Sequence, residues 1–400
     1  MVSDKAVSPS DSAGHGSRAQ RLREVAFVFG RLGATAFGGP AAHVAMMDDA
    51  CVRVRGWLSR EEFADSLSVS NVLPGPGSTE LAMLLGLRRA GWPGLVVAGV
   101  AFIAPTTLLV WCAAWWYARV GSQPDIASVL RGLQPVAFAL VMQASWRLAR
   151  TVVRSWTGAL LAACGVALLL PGFNELLMLL CVALLSMYAR SDVFSRLRGG
   201  FATTLLLGRE TAIGLGAGAA GAITGVIPSV TLPSLWWSCL RIGGTVFGSG
   251  YVLLAYLRAE FVERHAWLVE GQLLDAFAIG QLTPGPVFST VTFVGYLVAG
   301  HTGAVVATVG VFAPAFIFAA FGATIATRVR RSPVASAAMD GINAGSVALL
   351  ITVLWSMSRG FTPRGLIAAS VCLILLQFTR VPSILLFVVG ASAGYFGIIR

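Results

Sequence analysis

The sequence predicts an all-α polytopic membrane protein: two homologous six-segment halves joined by a linking span, about 13 spans in all. Composition is the first reason. Of 400 residues, 56% are hydrophobic and 12% charged, and mean hydropathy is +0.78, whereas a soluble domain carries about 25% charged residues. The second is spacing, because from Leu22 onward apolar stretches alternate with short polar loops, and a helix needs about 20 residues to cross a bilayer. The third is repetition. Arg31-Leu-Gly-Ala-Thr-Ala-Phe-Gly38 returns 210 positions later, as Arg241-Ile-Gly-Gly-Thr-Val-Phe-Gly248.

Residues 1–21 are rich in Ser, Gly, Ala and charge without an apolar core, so they read as a disordered cytoplasmic tail and not as a cleaved signal. The N-terminal repeat, 22–190, contains segments 24–47, 62–90 (broken), 92–118, 128–147, 156–172 and 175–189. Residues 191–232 follow as a basic cytoplasmic loop with Arg196, Arg198 and Arg209, then a Gly/Ala-rich linking span at 211–227. The C-terminal repeat, 233–400, restates the pattern with segments 233–257, 272–299 (broken), 301–327, 335–356, 365–379 and 382–398. The 210-residue offset also pairs Trp57 with Trp267, Asp65 with Asp275, and Pro74-Gly-Pro76 with Pro284-Gly-Pro286. After a one-residue slip, Pro105 pairs with Pro314 and Gly132 with Gly341.

Charge gives orientation. The net charge of +11 comes from arginines at the ends of apolar segments, which is the positive-inside pattern of a polytopic protein and calls for no nucleic-acid partner. If 211–227 spans, the halves are inverted, the N-terminus is cytoplasmic and the C-terminus lies outside. Arg88, Arg89, Arg147, Arg150, Arg154, the 190–209 loop and Arg328 to Arg331 then all face the cytoplasm. The exception is the 48–61 loop, whose Arg53, Arg55 and Arg60 are left outside. The expected location is a bacterial-type cytoplasmic (inner) membrane. Six scattered cysteines with no CxxC pair read as small core residues, so no metal and no cofactor are expected.

Each half carries a helix-breaking Pro-Gly-Pro inside an apolar segment. Proline removes a backbone hydrogen bond and clashes with the preceding turn, and at bilayer depth the freed groups are tolerated only inside protein or beside a watery cavity. Broken helices at matching places in two halves point to a transporter binding site.

Phe37-Gly-Gly-Pro40 with His43, Leu73-Pro-Gly-Pro-Gly-Ser-Thr79, Phe247-Gly-Ser-Gly-Tyr251 and Gln281-Leu-Thr-Pro-Gly-Pro286 together resemble the motifs of the chromate ion transporter family, long-chain two-domain type. The resemblance implies a secondary transporter that exports chromate across the cytoplasmic membrane, driven by a proton gradient and conferring chromate resistance, with sulfate as the isosteric competitor. Three residues depart from the family pattern: Gly77 stands at an expected threonine, Glu80 at an expected glutamine, and Ser249 at the middle glycine of the second motif.

The residues favour an oxyanion independently of the family. A tetrahedral dianion wants several donors and positive potential, which the N-terminus of a half-helix supplies through free N–H groups and its dipole. The candidate binding residues are Gly38, Gly39, Asn71, Pro74, Gly75, Pro76, Ser78 and Thr79 in the first half. In the second they are Gly248, Ser249, Gln281, Pro284, Gly285, Pro286, Ser289 and Thr290. Arg31 and Arg241, inside spans at matching positions, are candidates for attracting the anion; the bland reading of each is a snorkelling residue. Glu80 and His43 are candidates for proton coupling, against bland readings as a structural carboxyl and a packed imidazole. The expected partners are a chromate- or sulfate-type oxyanion, the lipid bilayer and, as an assembly, a homodimer. Two alternatives stay open. One is an importer or exchanger of sulfate or another oxyanion; the other, an intramembrane enzyme, is disfavoured because the sequence contains no HExxH or P-loop.

Overall fold

The computed structural model describes residues 17–121, 123–170, 172–190, 230–247, 250–379 and 381–398. Most of the 190–209 loop, the 211–227 linking span, Gly248 and Ser249 lie outside the described residues. Among the described residues every regular element is helical.

Helix α1 (Arg18–Thr35) starts under Ser17, whose side chain accepts the Gln20 N–H. It ends before Gly38 and Gly39, whose positive φ angles turn the chain into α2 (Gly39–Met47). A π-helical stretch, Asp48–Val54, continues α2 back along α1. This return brings Trp57 to within 6.5 Å of Phe29, ring to ring. Helix α3 (Arg60–Ser70) opens with a Ser59–Glu62 capping box, stops before Pro74-Gly-Pro76, and is followed by α4 (Gly77–Val120).

Helix α4 is two helices joined by a sharp bend. Ala90 and Gly91 leave helical backbone angles there, and a Cβ on Gly86 would strike the Gly94 carbonyl, residues that would stand about 12 Å apart in a straight helix. The stretch read as one broken span, 62–90, therefore doubles back. Glu62 at its start and Arg88 at its end lie 3.7 Å apart. Eleven residues of α3 reach only about 16 Å, roughly half the hydrocarbon thickness, and the 77–89 arm returns over the same distance. Helices α5 (Pro124–Val152), α6 (Trp156–Leu169) and α7 (Glu175–Arg190) complete the first half.

The second half repeats these elements: α8 (Leu232–Thr245), α9 (Leu253–Leu257) with its π-helical continuation Arg258–Arg264, α10 (Glu270–Leu282), α11 (Thr290–Arg331), α12 (Pro333–Arg359), α13 (Pro363–Phe378) and α14 (Ser383–Tyr395). Ala299 and Gly300 bend α11 as Ala90 and Gly91 bend α4. The 272–299 stretch doubles back as well, because Asp275 before its Pro-Gly-Pro and Phe293 after it both touch Tyr117.

The halves interlock. Helix α5 packs on α13 and α14, α12 packs on α6 and α7, and the long arms of α4 and α11 cross at the centre. Within each half close backbone approach seats the first helix on the long arm: a Cβ on Gly33 would meet the Phe102 carbonyl, and one on Gly243 the Val311 carbonyl. Gly77–Val120, Pro124–Val152, Val287–Gly322 and Pro333–Arg359 are long and apolar enough to cross a membrane.

Candidate functional site

The two Pro-Gly-Pro turns meet. Gly75, Pro76, Gly77 and Ser78 from the first and Pro286, Val287 and Phe288 from the second line one cavity of about 140 Å³, with Pro40, Asn71 and Gly250 in its wall. A water occupies about 30 Å³ of liquid volume, so the space has room for a small ion with part of its hydration. The glycine motifs converge here too, since a Cβ on Gly39 would lie 3.3 Å from the Tyr251 hydroxyl.

Each turn is fixed by the opposite half. The Gly75 N–H donates to the Val246 carbonyl just past α8 (2.7 Å), and the Gly285 N–H donates to the Ala36 carbonyl just past α1 (2.8 Å). Both glycines have positive φ, +128° and +94°, a conformation that a side chain strains. Space forbids a side chain as well. A Cβ on Gly75 would lie 2.8 Å from Glu80 Oε1, and one on Gly285 would lie 2.8 Å from the Gly33 carbonyl oxygen and closer still to the Thr106 hydroxyl. Thr106, fully buried on α4, donates to that same Gly33 carbonyl (3.1 Å).

Because α4 starts at Gly77, its first N–H groups have no acceptor within the helix, and two of the residues carrying them, Gly77 and Ser78, line the cavity. In the second half a 3₁₀ turn, Val287–Ser289, leads into α11. Both half-helices thus direct the positive end of their dipoles toward the meeting point. Thr79, Glu80, Ser289 and Thr290 are buried beside the two turns. Thr79 Oγ1, both Glu80 carboxyl oxygens, Gln281 Nε2, Ser289 Oγ and Thr290 Oγ1 have no hydrogen-bond partner among the described residues. Buried polar atoms are normally paired, so their gathering at both turns points to a polar occupant.

His43 links the glycine motif to the first turn. Its Nε2 lies 3.2 Å from the Ala36 carbonyl and its Nδ1 3.2 Å from Ser78 Oγ. The tautomer that satisfies both donates from Nε2 and accepts the Ser78 hydroxyl at Nδ1.

The family model described as "Chromate transporter" matches residues 23–187 and again 233–395. The chain belongs to the chromate transporter family. It is similar to the chromate transport protein of Cupriavidus metallidurans, 28% identical over 92% of this chain and 90% of that one. The probable chromate transport protein of Synechococcus elongatus is 29% identical over 96% and 98%, and the chromate transport protein of Pseudomonas aeruginosa is 31% identical over 80% and 77%. No solved structure matches. As a member of this family, the protein is an integral membrane transporter and not an enzyme.

In this member of the family the predicted residues separate into three sets. Asn71, Gly75, Pro76, Ser78 and Pro286 line the cavity, while Thr79, Glu80, Gln281, Ser289 and Thr290 lie behind or beside it, with Phe288 standing at the position that matches Ser78. Arg31 and Arg241 are not brought to it. Arg31 is exposed in a groove between α1 and α2 with Thr35, Asp49 and Arg55. Arg241 is paired with the buried Glu260, which also accepts from Ser238 (2.7 Å) and Arg264 (2.8 Å). Two residues escaped the sequence reading: Thr106, which looks like any hydroxyl in an apolar segment, and Glu260, whose spacing of 19 from Arg241 signals contact only once α8 and α9 are known to fold back on each other.

Proposed function

We propose that the protein carries a tetrahedral oxyanion dianion, chromate, out of the cell across the cytoplasmic membrane, through the cavity where the two Pro-Gly-Pro turns meet. The observation that carries this reading is the pair of crossed hydrogen bonds, Gly75 to Val246 and Gly285 to Ala36, which make one site from two half-sites. Two half-helix N-termini at the cavity, with unpaired hydroxyls buried beside them, supply donors and positive potential without a buried permanent cation. Such a site can release a dianion as readily as it takes one up.

The topology we infer is inverted. Arms α4 and α11 run antiparallel, with Trp111 on His301 (3.1 Å) at one end and Gly99 against the Phe316 ring toward the other. With the α1–α2 and α3–α4 hairpins entering and leaving on one face, each half crosses four times, and the linking span makes nine crossings instead of 13. The N-terminus stays cytoplasmic and the C-terminus outside. Arg53, Arg55 and Arg60 then join Arg88, Arg89 and Arg190 on the cytoplasmic face, as the charge rule asks, while Arg258 and Arg264 move to the outer face, where Glu263, Glu270 and Glu260 pair with them. In support, Arg89 pairs with Glu24 near the start of α1 (2.7 Å) and lies over the Trp57 ring.

A negative-inside membrane potential itself favours export of a dianion, by about 4.6 kcal/mol per 100 mV for two charges. Proton coupling enters through His43 and Glu80. A second proton on the imidazole, at Nδ1, would donate to Ser78 Oγ and free the Ser78 hydroxyl to donate to the anion, so proton and anion binding would reinforce each other; the proton would then leave with the dianion, and the membrane potential, not the inward proton gradient, would drive export. Proteoliposomes loaded with chromate or sulfate and given a pH step test the proposal. Chromate flux that sulfate competes is the expected result, and vesicles that carry neither anion would refute it.

A further inference from the structure

The two halves match in sequence but not in how tightly they close. The groove between α8 and α9, with Arg241, Thr245, Tyr256, Glu260 and Arg264, encloses about 10 Å³. The matching groove between α1 and α2, with Arg31, Thr35, Met46, Ala50 and Val54, encloses about 590 Å³. Sequence explains part of this, since Ala50 and Val54 replace Glu260 and Arg264. It does not explain the next pair. Asp275 on α10 is buried and accepts from Tyr117 Oη on α4 and Gln134 Nε2 on α5, both at 2.9 Å, and α10 packs along α5. Its match, Asp65 on α3, is the same residue, and the match of Gln134 is another amide, Asn343 on α12. Yet Asp65 is exposed without a hydrogen bond or ion pair among the described residues, and α3 and α12 make next to no contact. Asn343 instead lines a cavity of about 400 Å³ with Arg154, Ser186, Arg190 and Asp340.

The same aspartate facing an amide thus recurs in both halves, joined in one and apart in the other. We infer that the structure is the state closed at the α8–α10 face and open at the α1–α3 face, that Asp275 latches the closed face, and that Asp65 and Asn343 form the equivalent latch when the other face closes. Rocking one repeat against the other around a fixed site exchanges the two arrangements. The Asp65 latch has one amide donor, because Ala326 stands at the position matching Tyr117. It therefore holds less firmly than its counterpart, and the two faces are closed for unequal fractions of the cycle.

This inference rests on the inverted arrangement proposed above, and not on which anion is carried. The test uses the full chain in proteoliposomes with Cys51, Cys112, Cys164, Cys181, Cys239 and Cys372 replaced by Ser, carrying the pair Asp65→Cys/Asn343→Cys. A short reversible bifunctional thiol reagent is expected to join the pair, and roughly tenfold faster when Asp275→Ala releases the opposite latch. Failure to join in either background, while Tyr117→Cys/Asp275→Cys joins in the same membranes, would overturn it. Cross-linking without chromate or sulfate flux would strike the substrate reading and leave the latch standing. Should the cysteine-free chain not fold, Asp65→Ala and Asn343→Ala in the native background give a second test. Each is expected to slow turnover and the double variant to be no slower than the worse single, whereas additive effects would count against the pairing.

Discussion

Gly285→Ala tests the packing of the second turn at a single atom. The added Cβ would sit 2.8 Å from the Gly33 carbonyl oxygen and nearer still to Thr106 Oγ1, at a φ of +94°. The strained backbone costs about 1–3 kcal/mol, and overpacking about 1–3 kcal/mol more. Gly300 provides the control, for it too has positive φ, +63°, but a Cβ there would meet nothing within 4 Å. Gly300→Ala therefore bears only the first cost. Thermal unfolding of the purified protein should rank Gly285→Ala below Gly300→Ala. Anion flux should be lost in the former and largely kept in the latter, since displacing the Gly285 turn breaks its bond to Ala36. Adding Thr106→Ala should restore part of the stability by removing the nearest obstructing atom. Equal unfolding and equal flux for the two glycine variants would refute the claim that this turn is pressed against α1 and α4.

Ser78→Ala removes a hydroxyl from the cavity wall and, at low pH where the second imidazole proton frees that hydroxyl for the anion, should weaken anion binding about tenfold or more, the loss expected for a hydrogen bond to a charged group; equilibrium binding to purified protein checks it. The His43–Ser78 relay predicts tighter anion binding as pH falls, because the second imidazole proton is what frees the Ser78 hydroxyl. His43→Gln should flatten that profile, and if Glu80→Gln flattens it instead, the proton resides on the carboxyl. Glu260→Gln leaves Arg241 and Arg264 without their shared negative charge and should destabilise the fold by on the order of 2 kcal/mol, less than for a fully buried pair because both arginines are partly exposed. Arg31→Ala should leave thermal stability unchanged while slowing flux. Labelling of cysteines placed at Arg55 and Ser332 should report the same face for both, and opposite faces would remove the inverted arrangement.

The repeat, the helix breaks at Pro-Gly-Pro and the hydroxyls after them were legible because they are local: spacing, proline chemistry and residue type state them directly. The doubling back was not. A broken span and a pair of half-length helices have the same composition and the same central break, and contacts such as Glu62 with Arg88, 26 residues apart, distinguish them. The arginines at 53, 55 and 60, which the straight reading leaves outside, are the sequence signal that favours the proposed topology. Arg31 and Arg241 look equivalent as sequence and differ as structure, because Ala50 and Glu260, one turn of the returning helix, decide which arginine is neutralised. Thr106 was invisible for a related reason, since its role depends on Gly285, 179 residues later.

The most direct test of the central claim is the stoichiometry of chromate binding to the purified protein, measured for the parent chain and for variants at each turn. One dianion per chain, displaced by sulfate and weakened at that same site by either Ser78→Ala or Ser289→Ala, is the result that a site shared between the two turns predicts. Two dianions per chain, or one whose affinity responds to substitutions at only one of the turns, would contradict it.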